Sequence, residues 1–134
     1  MKKVLFVASE GVPFIKTGGL ADVVGSLPKR YNKEEYDVRV ILPKYMCMKE
    51  EWKNKMNYVT HFYMDLAWRS QYVGVLEMQY DGVQFYFIDN EYYFAGPKPY
   101  GNIYQDIEKF AFFSKAALSA LPVIGFKPDI VHCH

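Results

Sequence analysis

Val4-Leu5-Phe6-Val7-Ala8, running into Ser9-Glu10-Gly11-Val12-Pro13-Phe14-Ile15-Lys16-Thr17-Gly18-Gly19-Leu20-Ala21-Asp22, is the stretch that decides how this chain folds. Its first five residues are continuously apolar, short and β-branched at two positions, which predicts a strand buried on both faces of a parallel sheet. Ser9 to Thr17 reads as a loop held by Gly11 and Pro13, and a helix is expected to begin near Gly18-Gly19. Leu20, Val23, Val24 and Leu27 then recur at i, i+3, i+4 and i+7, which predicts one apolar stripe facing the core. Pro28, lacking an N–H, kinks that helix or starts a new turn. Val38 to Leu42 is a second buried strand, stopped by Pro43. Strand, helix and strand in this order make a right-handed parallel crossover.

The middle of the chain has a different period. Met48 to Met56 reads as a short polar helix, and Tyr58 to Leu66, Gln71 to Tyr80 and Val83 to Ile88 read as strands. Asp81-Gly82 joins the last two as a two-residue hairpin, because those residues tolerate positive φ. This is an antiparallel insertion whose last strand is in a position to rejoin the main sheet. Asn90 to Tyr104 reads as an aromatic, glycine- and proline-rich loop. Asp106 is the expected cap of the next helix, whose Ile107, Phe110, Ala111, Ser114, Ala117, Leu118 and Leu121 keep helical spacing, with Pro122 as its stop. A third buried strand is expected from Asp129 to His134. The whole of 1–134 reads as one α/β domain. Open sheets of this kind bind ligands beyond the carboxyl ends of their strands. The sequence stops at such an end, so it is expected to be part of a longer polypeptide.

Composition narrows the function. Lys plus Arg is 16 and Asp plus Glu 15, a net charge of +1, which argues against a nucleic-acid partner. With 51% hydrophobic and 23% charged residues the chain is neither disordered nor fibrous. No apolar run is long enough to span a bilayer, and the stretch after Lys2-Lys3 is too short for a signal peptide. Cys47 and Cys133 lie far apart and form no disulfide or metal framework, so a reducing, cytoplasmic setting is expected.

The chemistry is expected in the glycine loop. Gly18 and Gly19 let a ligand approach backbone that a side chain would block. A helix start offers unpaired N–H groups and the positive end of its dipole. An ammonium such as that of Lys16, about 4 Å from a phosphate oxygen, is worth roughly 4 kcal/mol at an effective dielectric of about 20. The dipole adds about 0.3–1 kcal/mol. Lys16 therefore sets the affinity and the glycines the geometry. The competing reading is a tight Gly-Gly turn with Lys16 as a solvated loop residue. The segment is neither a dinucleotide fingerprint nor a Walker loop.

SEGVPFIKTGGLADVVGSLP (9–28) resembles the N-terminal signature of bacterial glycogen synthases and plant starch synthases, with its Lys-X-Gly-Gly-Leu motif. YDVRVILPKY (36–45), YGNIYQDIEKFAFFSKAAL (100–118) and FKPDIVHCH (126–134) resemble later family segments in the same order. The resemblance implies a Rossmann-like, mostly parallel sheet with flanking helices and an antiparallel hairpin insertion, part of the N-terminal domain of a two-domain GT-B glycosyltransferase, truncated at its C-terminal end. It implies transfer of glucose from ADP-glucose to the non-reducing end of an α-1,4-glucan acceptor with retention, without metal or other cofactor. The missing C-terminal domain would hold most of the nucleotide, so the chain alone is expected to be inactive. By the same resemblance Lys16 reaches the diphosphate, Gly18 and Gly19 bring N–H groups to phosphates or sugar, and Asp22 lies near the reacting sugar. Asp22 is equally explained by the positive helix end.

His132 and His134 are two apart on a strand and share a face, with Cys133 pointing the other way. No third ligand accompanies them, so no metal site is expected. By the resemblance, His134 lies where the strand end lines the cleft and is a candidate sugar contact. The rings of Tyr92 to Tyr104 are read as packing against the rest of the polypeptide in preference to stacking on glucose units. Two departures from the family pattern stand out. Ala95-Gly96 occupies the place of a frequent arginine, and Lys109 replaces the arginine of an Asp-Asn-X-X-Arg-Phe run. Lysine lacks the flat bidentate fork, so contacts carried by those arginines are not expected to transfer. The alternative function is a stand-alone, flavodoxin-like module that binds phosphate or glucan without catalysis.

Overall fold

A computed structural model describes residues Met1 to His134. Its strands are β1 (Lys2–Val7), β2 (Tyr36–Pro43), β3 (Asn57–Leu66), β4 (Arg69–Tyr80), β5 (Val83–Asp89) and β6 (Ile130–Cys133). Its helices are α1 (Gly19–Ser26), α2 (Glu50–Lys53) and α3 (Ile103–Ile124), with a 3₁₀ turn at Leu27–Arg30 that holds Pro28 near its start, in accord with the new turn the sequence suggests. All strands join one sheet in the order β3-β4-β5-β2-β1-β6. β5, β2, β1 and β6 run parallel, and β3 and β4 add on antiparallel. The insertion does rejoin the main sheet through β5, with Val40 opposite Phe85. Asp81 and Gly82 make the β4–β5 turn with φ of 52° and 78°, the left-handed pair that a two-residue hairpin requires.

Val4, Leu5 and Phe6 are buried on both faces of β1, as their continuous apolarity predicts. β6 is not. It was expected to be buried, yet every residue of Ile130–Cys133 is exposed, because β6 is the edge strand and only β1 pairs with it.

α1 keeps most of the stripe predicted for it: Val24 is buried and Leu20 and Leu27 pack against the core. Only Val23 departs, at 44% exposed, and Ala21 takes the inward place beside Val24. Small residues explain the shift. A Cβ at Gly25 would lie 2.1 Å from Val12 Cγ2 and 2.9 Å from the Val12 carbonyl oxygen, and one at Gly11 would lie 2.9 Å from Val24 Cγ1. The helix thus turns its smallest residues toward the loop beneath it, where backbone meets backbone.

α3 differs from expectation at both ends. Asn102, not Asp106, is its cap, with Asn102 Oδ1 accepting from the Tyr104 N–H at 2.9 Å. Asp106 instead accepts from the Gly101 N–H at 2.9 Å. Pro122 does not end the helix, which runs on to Gly125 in the left-handed conformation (φ 68°). The inward face carries Phe112, Phe113, Ala116, Ala117 and Ala120, while Ile107 and Leu118 are exposed. Apolar residues wrap most of this helix, so its period alone does not choose the buried side. The aromatic loop also packs differently: Tyr93 stacks on Phe112 at 4.6 Å and Phe94 meets Tyr45 edge-on at 5.7 Å, inside this domain, while Tyr92 and Tyr104 face out. No helix is long and apolar enough to cross a membrane.

Candidate functional site

The loop after β1 is fixed before it reaches Lys16. Gly11 and Ile15 exchange both backbone hydrogen bonds at 3.0 Å, and the Val12 N–H donates to the Ala21 carbonyl at 3.0 Å. The Phe14 ring then plugs into Trp52, Tyr80, Phe85 and Phe87, at centroid distances of 4.8 to 5.7 Å. Lys16 therefore stands two residues past a buried anchor, beside the start of α1.

Glu10, which sequence reasoning passed over, organises this start. Its side chain is 1% exposed. Oε1 accepts from the N–H groups of Gly18 (3.1 Å) and Ala21 (3.2 Å), and Oε2 accepts from the Thr17 and Tyr100 hydroxyls, the latter at 2.9 Å. Burial pushes the carboxyl pKa up, but these hydrogen bonds outweigh burial and hold it below the ordinary value. A signal was present in the sequence. A helix starting at Gly18-Gly19 has no side-chain cap of its own, so an acceptor must come from elsewhere, and Glu10 is the one acid in the loop. Tyr100 OH also lies 2.5 Å from Ser9 Oγ, which ties the aromatic loop to the same point.

Above this cap the surface is open. A Cβ at Gly18 or Gly19 would meet no atom within 4 Å. Gly18 is extended (φ −165°, ψ −162°), a conformation open to any residue. The tight-turn reading thus loses its backbone requirement. The N–H groups of Gly19 and Leu20 donate to no protein acceptor. Lys16 Nζ donates to both carboxylate oxygens of Asp22, at 2.9 and 2.8 Å, with the two side chains 53% and 57% exposed. An ion pair this exposed is worth about 0.2–1 kcal/mol.

Lys16, Gly18, Gly19 and Asp22 are therefore brought together at the carboxyl edge of the sheet. His134 is not in contact with them. Its N–H donates to the Val7 carbonyl at 2.9 Å, and its ring stacks on Phe6 at 5.3 Å beside His132. Burial, and next the His132 charge, hold its pKa below the ordinary value. His134 also borders a cavity of about 550 Å³ with Val7, Ser9, Tyr100, Phe110 and Leu118. A second groove, of about 370 Å³, lies at the opposite edge beside Met1, Tyr36 and Gln84 and takes no part in this arrangement.

Comparison with known proteins shows the family to which the chain belongs. The family model of the starch synthase catalytic domain matches residues 3–134. The chain belongs to the starch synthase catalytic domain family. A glycogen synthase of Lachnoclostridium phytofermentans is 72% identical over 134 residues, covering 100% of this chain and 28% of that protein. One from Geobacillus stearothermophilus is 54% identical over 132 residues, 98% of this chain and 27% of that protein. The catalytic domain of starch synthase IV from Arabidopsis thaliana, bound to ADP and acarbose, superposes with a TM-score of 0.86 at 31% identity, over 99% of this chain and 28% of that one. The chain thus spans little more than a quarter of its relatives' length, and its fold is that of the N-terminal part of the GT-B starch synthase structure. The match to catalytic-domain sequences does not favour the stand-alone module.

Within this starch synthase domain, Lys109 has a structural task. It is 9% exposed, and its Nζ donates to the Pro99 carbonyl at 2.8 Å and lies 3.5 Å from Asp106. It holds the residue next to Tyr100, and so sets where that hydroxyl meets Glu10.

Proposed function

We propose that the full-length protein transfers glucose from ADP-glucose to the non-reducing end of an α-1,4-glucan in the cytoplasm, with retention, and that this chain supplies one wall of the donor site. The observation that carries this reading is the open space above Gly18-Gly19, bordered by Lys16 and by two backbone N–H groups without acceptors. A diphosphate matches that donor set in charge and in hydrogen-bonding character. Support comes from the glycogen synthase relatives and from a structural neighbour that binds ADP and acarbose.

As the glycosidic bond to ADP breaks, negative charge grows on the leaving diphosphate. A cation and N–H dipoles already in place stabilise that charge more in the transition state than in the ground state. Lys16 exchanges a weak, exposed partner for a more highly charged one, and Asp22 is released to accept from a sugar hydroxyl. In this reading His134, at the strand end, is the candidate sugar contact. The nucleotide base and the rest of the cleft belong to a second domain, so the isolated chain binds ADP-glucose weakly and transfers no glucose. In the full-length enzyme, Lys16→Ala and Lys16→Gln lower turnover more than tenfold, a loss of about 1.4 kcal/mol or more in transition-state stabilisation. Near-parental kinetics for both variants would remove Lys16 from the diphosphate site.

A further inference from the structure

We propose that Glu10 is a positioning residue of the donor site: from beneath the glycines it clamps the Gly18–Ala21 backbone to the Tyr100 loop, and so fixes where Lys16 and the free N–H groups of Gly19 and Leu20 point. The inference rests on the diphosphate reading above.

A helix start is ordinarily capped by a Ser, Thr, Asp or Asn at the cap position itself. Here that position is Gly18, and a side chain placed there would enter the open space above it. Supplying the acceptor from residue 10, on the inner side, leaves the outer side bare. Glu10 is 1% exposed and has no lysine or arginine within ion-pair distance, so a charge is buried on hydrogen bonds alone.

The carboxylate also divides the helix start into two sets of donors. Gly18 and Ala21 are turned inward to Oε1, and Gly19 and Leu20 are left for a ligand. Oε2 receives the Thr17 hydroxyl, one residue from Lys16, and the Tyr100 hydroxyl from a loop ninety positions away in sequence. Any ligand that orders Tyr100 therefore acts on the glycine loop through one shared atom. Small displacements of such a shell are felt strongly in turnover, because reacting groups must be aligned to within a fraction of an ångström.

The test is steady-state kinetics in the full-length protein with ADP-glucose and a soluble α-1,4-glucan. Glu10→Gln keeps one acceptor oxygen for the two N–H groups and replaces the other by a donor. It is expected to lower kcat about tenfold and leave the KM for glucan within about twofold. Tyr100→Phe and Thr17→Val, which keep the carboxylate, are expected to fall in the same direction by smaller factors. If Glu10→Gln does not fold, these two carry the test. In a Lys16→Ala background the Glu10→Gln loss shrinks, because both changes damage one element. Removing a nearby negative charge would by itself tighten ADP, so tighter ADP binding with parental kcat overturns the inference. Parental kcat in Glu10→Gln and Tyr100→Phe with only a lowered melting temperature also overturns it, reducing Glu10 to a helix cap. A silent Lys16→Ala overturns the diphosphate reading, and the clamp with it. A damaged Lys16→Ala beside silent Glu10→Gln and Tyr100→Phe overturns the clamp alone.

Discussion

Two pairs of glycines lie in one short segment and serve opposite ends. Gly11 and Gly25 sit where loop and helix touch, and a methyl group at Gly25 would collide with both side chain and backbone of Val12. Gly18 and Gly19 face nothing at all. Neither glycine of the second pair has positive φ, so conformational freedom does not explain them. The first pair is a packing requirement. The second is empty space at the protein's surface, and under the proposed function that space belongs to the ligand. The same residue type, read by its letter alone, gives no hint of this division.

The contrast can be broken by substitution. The largest effect is expected for Gly25→Ala. Its methyl has no room, and overpacking of this kind costs about 1–3 kcal/mol, with the upper end expected because one neighbour is backbone. Chemical denaturation measures it, and a loss below about 0.5 kcal/mol would show that loop and helix can separate freely. Gly19→Ala should do the reverse. It begins a helix in a compatible conformation, so stability is expected to rise by about 0.4–1 kcal/mol while kcat/KM for ADP-glucose falls. A Gly19→Ala enzyme with parental kinetics would return the pair to mere surface. The smallest and most gradual effect concerns acid. The folded-state pKa of Glu10 is held below its ordinary value of 4.5, so its stabilising contribution is complete above that value. It is lost as pH falls through the folded pKa. Denaturation midpoints of parent and Glu10→Gln should therefore converge as the pH falls below 4.5, and parallel curves would contradict the assigned hydrogen bonds.

Much of this architecture was legible beforehand, for physical reasons that particular residues show. Continuous apolar runs at Val4–Ala8 and Val38–Leu42 have few alternatives to buried parallel strands, and Asp81-Gly82 has few alternatives to a hairpin. In α1 the predicted stripe holds except at Val23, which the contacts of Gly11 and Gly25 turn outward, whereas apolar residues wrap most of α3 and its alanines choose the buried side. β6 was expected to be buried from its composition, but exposure depends on whether another strand lies beside it. In the candidate site, Lys16 and the glycines are singled out by chemistry and spacing. Glu10 was not, since its partner Tyr100 is remote in sequence, and because a loop glutamate ordinarily reads as solvated.

The bond between residue 10 and residue 18 has one more consequence. It is a chord across the loop and fixes its contour length. Surface loops usually absorb insertions and deletions, but a single residue added or removed between Ser9 and Thr17 would leave either the carboxylate short of the amides or Phe14 out of its socket. This loop can exchange exposed side chains, then, but not change its length.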